Sequence, residues 1–333
     1  RNWFRNLRLG STPVLVLPEP PAMLEYQKET KMNVGILGGG KWGQALARLV
    51  KKAGHKPLIA YEDIRPPHVL PSSNNPPEVC QKCELILVAT SASKTRYALQ
   101  KAKPGPENRV VLASRGIEPA TGLWMSSVVE QECDALRVGA LGGPAPVEEI
   151  LNGALCAGVV ASPYREVREM TAEALHSTRY RVYQTDDLIG VQLTSAAVPV
   201  LACLLGLTRQ LQGAGVGMHA MVLSRGLAEF GRLASAIDAD EATLWGLAGI
   251  GDLVSAQARE GTLYYESGRE LARGNAGQGP WHLAAALLAR AKAKDVELPL
   301  TASLLAMQQG EDPIDVVQRL MARASTDEHG SAV

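Results

Sequence analysis

Short apolar runs alternate with helix-like segments from position 33 to about position 185. Apolar runs bounded by turn-forming residues predict buried strands, and here they fall at 34–37, 58–61, 85–89, 110–113, 138–141, 157–161 and 181–183. Segments with helical patterning separate them. Strands joined in this way are typical of a parallel sheet, so we predict a doubly wound α/β domain of the Rossmann type.

The segment after the first predicted strand has a clear helical pattern. Its apolar residues recur mostly at steps of three and four, at Trp42, Ala45, Leu46, Leu49, Val50 and Ala53. This spacing places them on one face of a helix, which packs against the sheet. Gly54 follows and is typical of a helix end. We therefore predict an amphipathic helix between the first two strands.

The pattern changes after Asp186. Strand-like runs stop there, and Ala- and Leu-rich stretches with helical spacing continue to Leu320. We therefore predict an NAD-binding Rossmann domain over 32–185, followed by an all-helical second domain for the substrate over 186–325. Residues 1–31 precede a natural start at Met32. We expect them to be a disordered extension and leave them out of the fold prediction.

Composition favours a small-molecule partner. The chain has 34 Lys and Arg and 34 Asp and Glu, and no run of one sign typical of a nucleic-acid-binding surface is present. Positions 189–208 carry no charge, but polar residues and Pro199 interrupt them, which indicates a buried helix rather than a membrane span. We expect no nucleic-acid and no membrane partner, and a homodimer stays open.

The cysteines indicate a reducing compartment. They number five, Cys80, Cys83, Cys133, Cys156 and Cys203, and an odd number without a secretory signal predicts reduced thiols in the cytoplasm. Cys80 and Cys83 have the spacing of half a zinc site or of a redox pair. No second Cys or His pair stands at a matching spacing, so we expect no metal site.

The first predicted strand leads into a glycine-rich turn, Gly38-Gly39-Gly40-Lys41-Trp42-Gly43. A strand before this G-x-G-x-x-G run and an amphipathic helix after it are the context of a dinucleotide-binding loop. In that interpretation Gly38 forms the tight turn, Gly40 admits the pyrophosphate and Gly43 lets the helix pack on the strand. The N–H groups and the dipole at the helix start bind the phosphates.

Glu62 predicts which dinucleotide binds. It follows the second predicted strand about twenty positions after the loop, where an acidic side chain accepts hydrogen bonds from the adenosine ribose. The same carboxylate repels a 2′-phosphate, so we predict NAD rather than NADP as the cofactor. The alternative is that Glu62 is a solvated charge on a surface turn.

Six motifs occur in a characteristic order. They are the glycine loop and the runs at 113–119, 142–144, 187–191, 224–229 and 246–253. In order and near-identical spacing they resemble the bacterial-type NAD(P)-dependent glycerol-3-phosphate dehydrogenases over about 32–320. The resemblance implies a cytoplasmic oxidoreductase of carbohydrate metabolism and phospholipid biosynthesis that interconverts glycerol 3-phosphate and dihydroxyacetone phosphate.

The resemblance also implies site residues. On the cofactor side they are Lys41, Trp42 and Val147, beside Gly38, Gly40, Gly43 and Glu62. Gly143 and Asp252 match substrate-contacting positions, and Arg115 stands where the family has a substrate-binding Lys. An ungapped alignment places Thr262 at the start of the family's phosphate-binding run. We expect Arg115 and Asp252 to act in catalysis, and Gly143 and Thr262 to bind substrate.

Several positions depart from the family pattern. The Lys that accepts the hydroxyl proton in the family is replaced by Val198, and valine cannot move a proton. The family's phosphate-binding Ser-Arg-Asn reads Thr262-Leu263-Tyr264, and a family Lys reads Glu148.

Three hypotheses follow from these departures. A dehydrogenase with a relocated base, either His219 or Asp252, acts on a different and less anionic hydroxy substrate. Alternatively, the chain is an NAD-binding relative that has lost turnover. In the third, the family reaction survives at a reduced rate with Arg115 binding the phosphate or polarising the carbonyl. Arginine cannot serve as the base at neutral pH. Reduction of dihydroxyacetone phosphate needs only a donor near the oxygen, so it is the direction to assay first.

Overall fold

The computed structural model describes residues 31–62, 65–258 and 262–322, so the predicted extension lies outside the described residues except for Lys31. The first half forms one eight-stranded sheet. Its strands are β1 Asn33–Leu37, β2 Lys56–Ala60, β3 Ser72–Ser73, β4 Leu85–Val88, β5 Arg109–Leu112, β6 Arg137–Gly142, β7 Cys156–Ala161 and β8 Tyr180–Thr185. The spatial order is β3-β2-β1-β4-β5-β6-β7-β8. This sheet and the helices after it confirm the predicted fold class.

Two features of the sheet differ from the prediction. Strand β7 pairs antiparallel with β6, although every other neighbouring pair is parallel. Strand direction is not encoded in an apolar run, so the sequence pattern did not indicate this reversal. The two-residue strand β3 pairs with Ile59 and Ala60 and has no apolar pattern of its own, which is why no strand was predicted there.

Helices cover the sheet and then form the second half of the chain. Those between the strands are α1 Lys41–Lys52, α2 Pro76–Lys82, α3 Ala92–Ala102, α4 Met125–Glu132, α5 Val147–Leu151 and α6 Arg165–Leu175. Those after β8 are α7 Leu188–Gln210, α8 Val216–Ala236, α9 Ala242–Trp245, α10 Asp252–Ala258, α11 Leu263–Leu271, α12 Trp281–Ala293, α13 Pro299–Gln308 and α14 Pro313–Met321. A π-helical turn at Leu247–Gly251 leads directly into α10.

The strands are buried on both faces, as a parallel sheet between helices requires. In β4, Leu85 and Leu87 belong to one apolar cluster, whereas Ile86 and Val88 belong to another. This alternation follows from the two-residue period of a strand. A third cluster surrounds α7 in the helical half.

Helix α7 contains the uncharged stretch 189–208. It is long and apolar enough to cross a membrane, but 83% of its most apolar window is buried inside the structure. Asp187 caps its start, since its carboxylate accepts a hydrogen bond from the Gly190 N–H at 2.8 Å. The predicted domain boundary coincides with the end of β8 and the start of α7. Residues from Met32 onward form one compact unit, so the division into two domains stays a prediction.

Candidate active site

A cavity of about 520 Å³ lies at the carboxyl ends of β1, β2 and β4. In a doubly wound sheet this is the edge where ligands bind. The residues that line it include the predicted Gly38, Gly40 and Glu62 and, among those not predicted, Thr90, Ser91, Lys94, Tyr97 and Lys101. The glycine loop and the acidic residue after β2 therefore meet in one cavity, although they lie apart in the sequence.

The glycine loop has the geometry of a phosphate cradle. A Cβ on Gly43 would lie 1.9 Å from the Gly38 carbonyl oxygen, so only glycine allows α1 to start this close to the turn. Gly38 itself has φ of +121° and contacts the backbone of Ala89. A Cβ on Gly40 would meet nothing within 4 Å, and no side chain caps α1. These residues fit the pyrophosphate of a dinucleotide.

Four residues predicted for the cofactor site do not line this cavity. Lys41 at the start of α1 forms an ion pair with Glu148 at 2.5 Å, and both side chains are exposed. The indole N–H of Trp42 donates to the Ala113 carbonyl at 3.0 Å, which joins α1 to the end of β5. Gly43 lies buried behind the loop, and Val147 packs partly buried at the start of α5. Their roles toward a cofactor stay predictions.

Glu62 lies at the far end of the same cavity. The Tyr97 hydroxyl donates a hydrogen bond to its carboxylate at 2.6 Å, and the Lys101 ammonium lies 5.4 Å from the centre of the Tyr97 ring. The carboxylate is thus oriented by α3, which the sequence did not indicate. The preference for NAD over NADP stays a prediction, since a cation stands close to the same position.

A second cavity, of about 770 Å³, adjoins the first. Ser91 lines both cavities, so the two spaces meet at the start of α3. The predicted Arg115, Asp252 and Thr262 line the second cavity together with Glu148, Glu149, Val198, Tyr264 and His282. This is the arrangement expected of a substrate site next to a dinucleotide site.

The centre of the second cavity is an ion pair. The Arg115 guanidinium donates to both carboxylate oxygens of Asp252, with a distance of 3.3 Å for the Nη1 to Oδ1 hydrogen bond and a closer contact between Nη2 and Oδ2. Asp252 is 4% exposed, whereas the Arg115 side chain is about one-third exposed. A buried carboxylate therefore fixes a guanidinium that still reaches the cavity.

The loop that carries Arg115 is held on several sides. The Gly116 N–H donates to the Ser195 hydroxyl at 3.0 Å, which ties the loop to α7. Arg96 on α3 donates from two nitrogens to the carboxylate of Glu118 at 2.8 Å each. Glu118 is almost fully buried, and this contact with the Arg96 guanidinium, its largest influence, lowers the pKa of its carboxyl group. The Arg115 backbone is thus positioned from both halves of the chain.

The other predicted substrate residues are placed differently. Thr262 lines the second cavity, but its hydroxyl donates to the Ala256 carbonyl at 2.6 Å. Gly143 is buried directly after β6 with φ of +87°, lies against Leu247, and is not among the residues that line the cavity. His219, the alternative base, pairs with the Thr208 hydroxyl at 2.7 Å and does not line this cavity either.

Several lining residues were not predicted to act. Ser195 and Val198 lie on one turn of α7, Tyr264 lies near the start of α11, and His282 lies near the start of α12. Burial lowers the pKa of His282 below its usual 6.5, so the imidazole is neutral at pH 7. Only the packing of three distant helices brings these side chains together, and no short motif contains them.

The described side chains that line the second cavity have a net negative charge, whereas a phosphate group binds best to positive charges. Among the residues that the structure describes, the charged side chains of the lining are Arg115 and three carboxylates, Glu148, Glu149 and Asp252. Within the described residues, no group of three or more His, Cys, Asp or Glu side chains is arranged to hold a metal ion. The five cysteines are free thiols.

Comparisons with known proteins identify the family. The N-terminal model of NAD-dependent glycerol-3-phosphate dehydrogenase matches residues 60–168, and the C-terminal model matches 187–318. A glycerol-3-phosphate dehydrogenase [NAD(P)+] from Janthinobacterium sp. (strain Marseille) is 32% identical, over 89% of this chain and 99% of that protein.

Solved structures agree with this assignment. A glycerol-3-phosphate dehydrogenase from Coxiella burnetii superposes with a TM-score of 0.77 at 26% identity, covering 88% of this chain and 99% of that one. One from Plasmodium falciparum reaches a TM-score of 0.78 at 13% identity over 90% and 98% of the two chains, which shows the shared fold. The chain is therefore a member of the NAD-dependent glycerol-3-phosphate dehydrogenase family, whose cofactor is NAD(P).

Proposed function

We propose that this chain catalyses the NAD(P)-linked interconversion of glycerol 3-phosphate and dihydroxyacetone phosphate. The observation that carries the proposal is the junction of two cavities at Ser91. One contains the glycine loop, and the other contains Arg115 and Asp252. A substrate beside Arg115 would therefore lie next to a dinucleotide bound at the loop.

The side chains that line the second cavity differ in the chemistry that they offer a substrate. Arg115 offers charge-assisted hydrogen bonds to an anionic or carbonyl oxygen, and Asp252 keeps the guanidinium in place. Val198 offers no group that accepts a proton, so oxidation of an alcohol lacks the base that the resemblance implies at this position. Reduction of the ketone needs a group that gives a proton to the carbonyl oxygen, and the same group would take up the proton in oxidation.

The cofactor's part rests on the glycine loop. Gly38, Gly40 and the open start of α1 would hold the pyrophosphate of a nicotinamide dinucleotide, which would supply the hydride when bound. Glu62 supports NAD as the preferred form, because its carboxylate would accept hydrogen bonds from the ribose hydroxyl groups and would repel a 2′-phosphate. The Tyr97 hydroxyl already holds that carboxylate in one orientation.

The test uses the purified full-length chain. NADH binding is measured by fluorescence, and NADH consumption with dihydroxyacetone phosphate is followed by absorbance. We expect saturable binding and turnover. A Gly40→Asp variant places a negative charge in the open space at the loop and should lose NADH binding. If NADH binds saturably but is not consumed at any concentration of dihydroxyacetone phosphate, the chain is an NAD(P)-binding relative that does not catalyse this reaction.

One observation favours a second candidate, a dehydrogenase of a less anionic hydroxy substrate. Three carboxylates line the substrate cavity, and like charges a few ångströms apart cost on the order of several kcal/mol in a partly buried site. A panel that includes dihydroxyacetone and other uncharged ketones beside dihydroxyacetone phosphate decides between the two. Higher kcat/KM for an uncharged ketone would support this second candidate.

We also propose a cytoplasmic location. The five free thiols support it, because secreted proteins usually pair their cysteines. Cell fractionation with a specific antibody tests the location. Recovery in a membrane or secreted fraction would contradict it.

A further inference from the structure

Reduction of a ketone needs a proton as well as a hydride, and the second cavity contains a group that fits. We propose that the Tyr264 hydroxyl donates the proton to the carbonyl oxygen of the substrate, in place of the lysine that the family resemblance implies at Val198. Tyr264 and Val198 line the same cavity as Arg115. The inference rests on the proposed reductase function and names the residue that completes it.

Close packing of two helices fixes the backbone position of Tyr264. It is the second residue of α11, which packs against α7, the helix that carries Val198. The two backbones approach so closely that a Cβ on Gly206 would lie 1.9 Å from the Tyr265 carbonyl oxygen. A Cβ on Gly268 would lie 1.8 Å from the Cys203 carbonyl oxygen. Two glycines thus fix the position of α11, and with it the base of the Tyr264 side chain.

Three other polar side chains of the cavity are already engaged. Ser195 accepts from the Gly116 N–H and donates to the Gln192 carbonyl at 2.8 Å. Thr262 donates to a backbone carbonyl, and Asp252 is paired with Arg115. Among residues 31–62, 65–258 and 262–322, by contrast, the Tyr264 hydroxyl has no hydrogen-bond partner. It is therefore available to a bound ligand.

A proton donor must be protonated before the reaction, and Tyr264 is. Burial raises the pKa of Tyr264 above its usual 10, and the Arg115 charge opposes this shift but does not outweigh it. The phenol therefore keeps its proton at neutral pH. During reduction the hydride adds to the carbonyl carbon and the C=O π pair moves onto oxygen. That oxygen takes the proton as the Tyr264 O–H bond breaks, and the phenolate beside Arg115 regains a proton from water.

The main rivals are His282 and Tyr265, which line the same cavity. His282 is neutral at pH 7 because burial lowers its pKa, so little of it carries the extra proton that a strong donor needs. The Arg115 charge acts on the Tyr264 hydroxyl, where it would stabilise the phenolate left after proton transfer. The Tyr265→Phe and His282→Asn variants test the two rivals.

The experiment compares Tyr264→Phe with Tyr164→Phe, a matched control on an exposed tyrosine outside both cavities. With NADH and dihydroxyacetone phosphate, we expect Tyr264→Phe to lower kcat by about 10²–10⁴-fold, the usual contribution of a positioned acid. The control should stay within threefold of the wild type, and NADH affinity should change less than twofold in both. Tyr264→Phe retaining at least half of the wild-type kcat overturns the proposal. So does a large loss confined to Tyr265→Phe or His282→Asn.

A second readout does not depend on turnover. Tyrosine labelled with ¹³C at Cζ gives one resonance that is missing from Tyr264→Phe, and we expect dihydroxyacetone phosphate or dihydroxyacetone to shift it in the protein without cofactor. If the wild type binds NADH but turns over neither ketone, the proposed function fails, and this titration alone judges Tyr264. A resonance that neither ketone shifts overturns the assignment.

Discussion

Arg115 and Asp252 lie 137 residues apart in sequence and form a two-point ion pair in the second cavity. The carboxylate is buried and comes from the first residue of α10, whereas the guanidinium comes from the loop after β5. Charge-assisted hydrogen bonds of this kind contribute about 1.5–3 kcal/mol when they are buried. The pair therefore joins the sheet half to the helical half at the second cavity.

Asp252→Asn should weaken substrate turnover more than cofactor binding. The amide keeps one acceptor but loses the charge that holds Arg115, so we expect kcat/KM for dihydroxyacetone phosphate to fall by about 10–100-fold. Steady-state kinetics and NADH fluorescence measure the two effects separately. Asp134→Asn, on an exposed residue away from both cavities, is the control. Equal losses in both variants would argue against a specific role for the ion pair.

Val198→Lys should raise the rate of glycerol 3-phosphate oxidation. Val198 is 5% exposed and lines the cavity, so burial would lower the pKa of a lysine there and make it a better base. We expect kcat for oxidation to rise at least tenfold, toward the ~10²–10⁴ that a positioned base contributes. Val198→Met, similar in bulk but without an amine, controls for packing. An unchanged oxidation rate would mean that position 198 does not face the reacting alcohol.

The local part of the site followed from the sequence. Gly38 and Gly40 are predicted because a strand, a glycine turn and an amphipathic helix follow one another within a short stretch. Glu62 is predicted from its distance to that turn, and all three line one cavity. Arg115 and Asp252 were implied only by resemblance, since nothing in either local segment indicates that they meet.

The rest depends on packing between distant elements. Tyr264 reaches the cavity because glycines let α11 approach α7, and apolar spacing does not encode which helices meet. The antiparallel direction of β7 cannot be predicted from an apolar run, because such a run does not encode strand direction. The pair between Lys41 and Glu148 needed the positions of α1 and α5 to be known. The predicted contact of Gly143 with substrate stays a prediction, and its position against Leu247 could not be predicted from its local sequence.

Glu148→Lys should improve binding of a phosphorylated substrate. It changes the sign of one charge lining the cavity, and the exposed pair with Lys41 that it removes is worth only about 0–1 kcal/mol. We expect KM for dihydroxyacetone phosphate to fall by about 3–10-fold at low salt, and the gain to shrink as salt is raised. Glu107→Lys, on an exposed loop, shows whether net charge alone has this effect. A KM that is unchanged or higher would be the contrary result.

Glu62→Gln should shift cofactor preference toward NADPH. Removing the carboxylate removes its repulsion of a 2′-phosphate, and Lys101 is left near Tyr97 at that end of the cavity. We expect NADPH affinity to rise about tenfold or more and NADH affinity to fall, because the ribose loses a charged acceptor. Fluorescence titrations with both cofactors measure the ratio. Glu84→Gln serves as the control. If the ratio of NADPH to NADH affinity is the same in the wild type and in Glu62→Gln, Glu62 is only a solvated surface charge.

Glu229 should make stability depend on pH. Its carboxylate is 2% exposed and accepts from the Leu300 N–H at 2.5 Å and the Thr301 N–H at 3.3 Å, at the start of α13. Burial raises its pKa from 4.5 to about 7, and these hydrogen bonds only partly oppose the shift. A raised pKa in the folded state favours the protonated form. The group's contribution to stability is therefore complete below about pH 4.5 and is lost as pH rises through about 7.

Glu229→Gln should remove that pH dependence, because the uncharged amide resembles the protonated acid at every pH. We expect the free energy of unfolding of wild type and variant to agree near pH 5. At pH 8 the variant should be more stable by roughly 1–3 kcal/mol. Urea unfolding across this range measures the difference, with Glu130→Gln on an exposed residue as the control. Parallel curves for wild type and Glu229→Gln would mean that Glu229 stays ionised when buried, and that the N–H groups of α13 outweigh its desolvation.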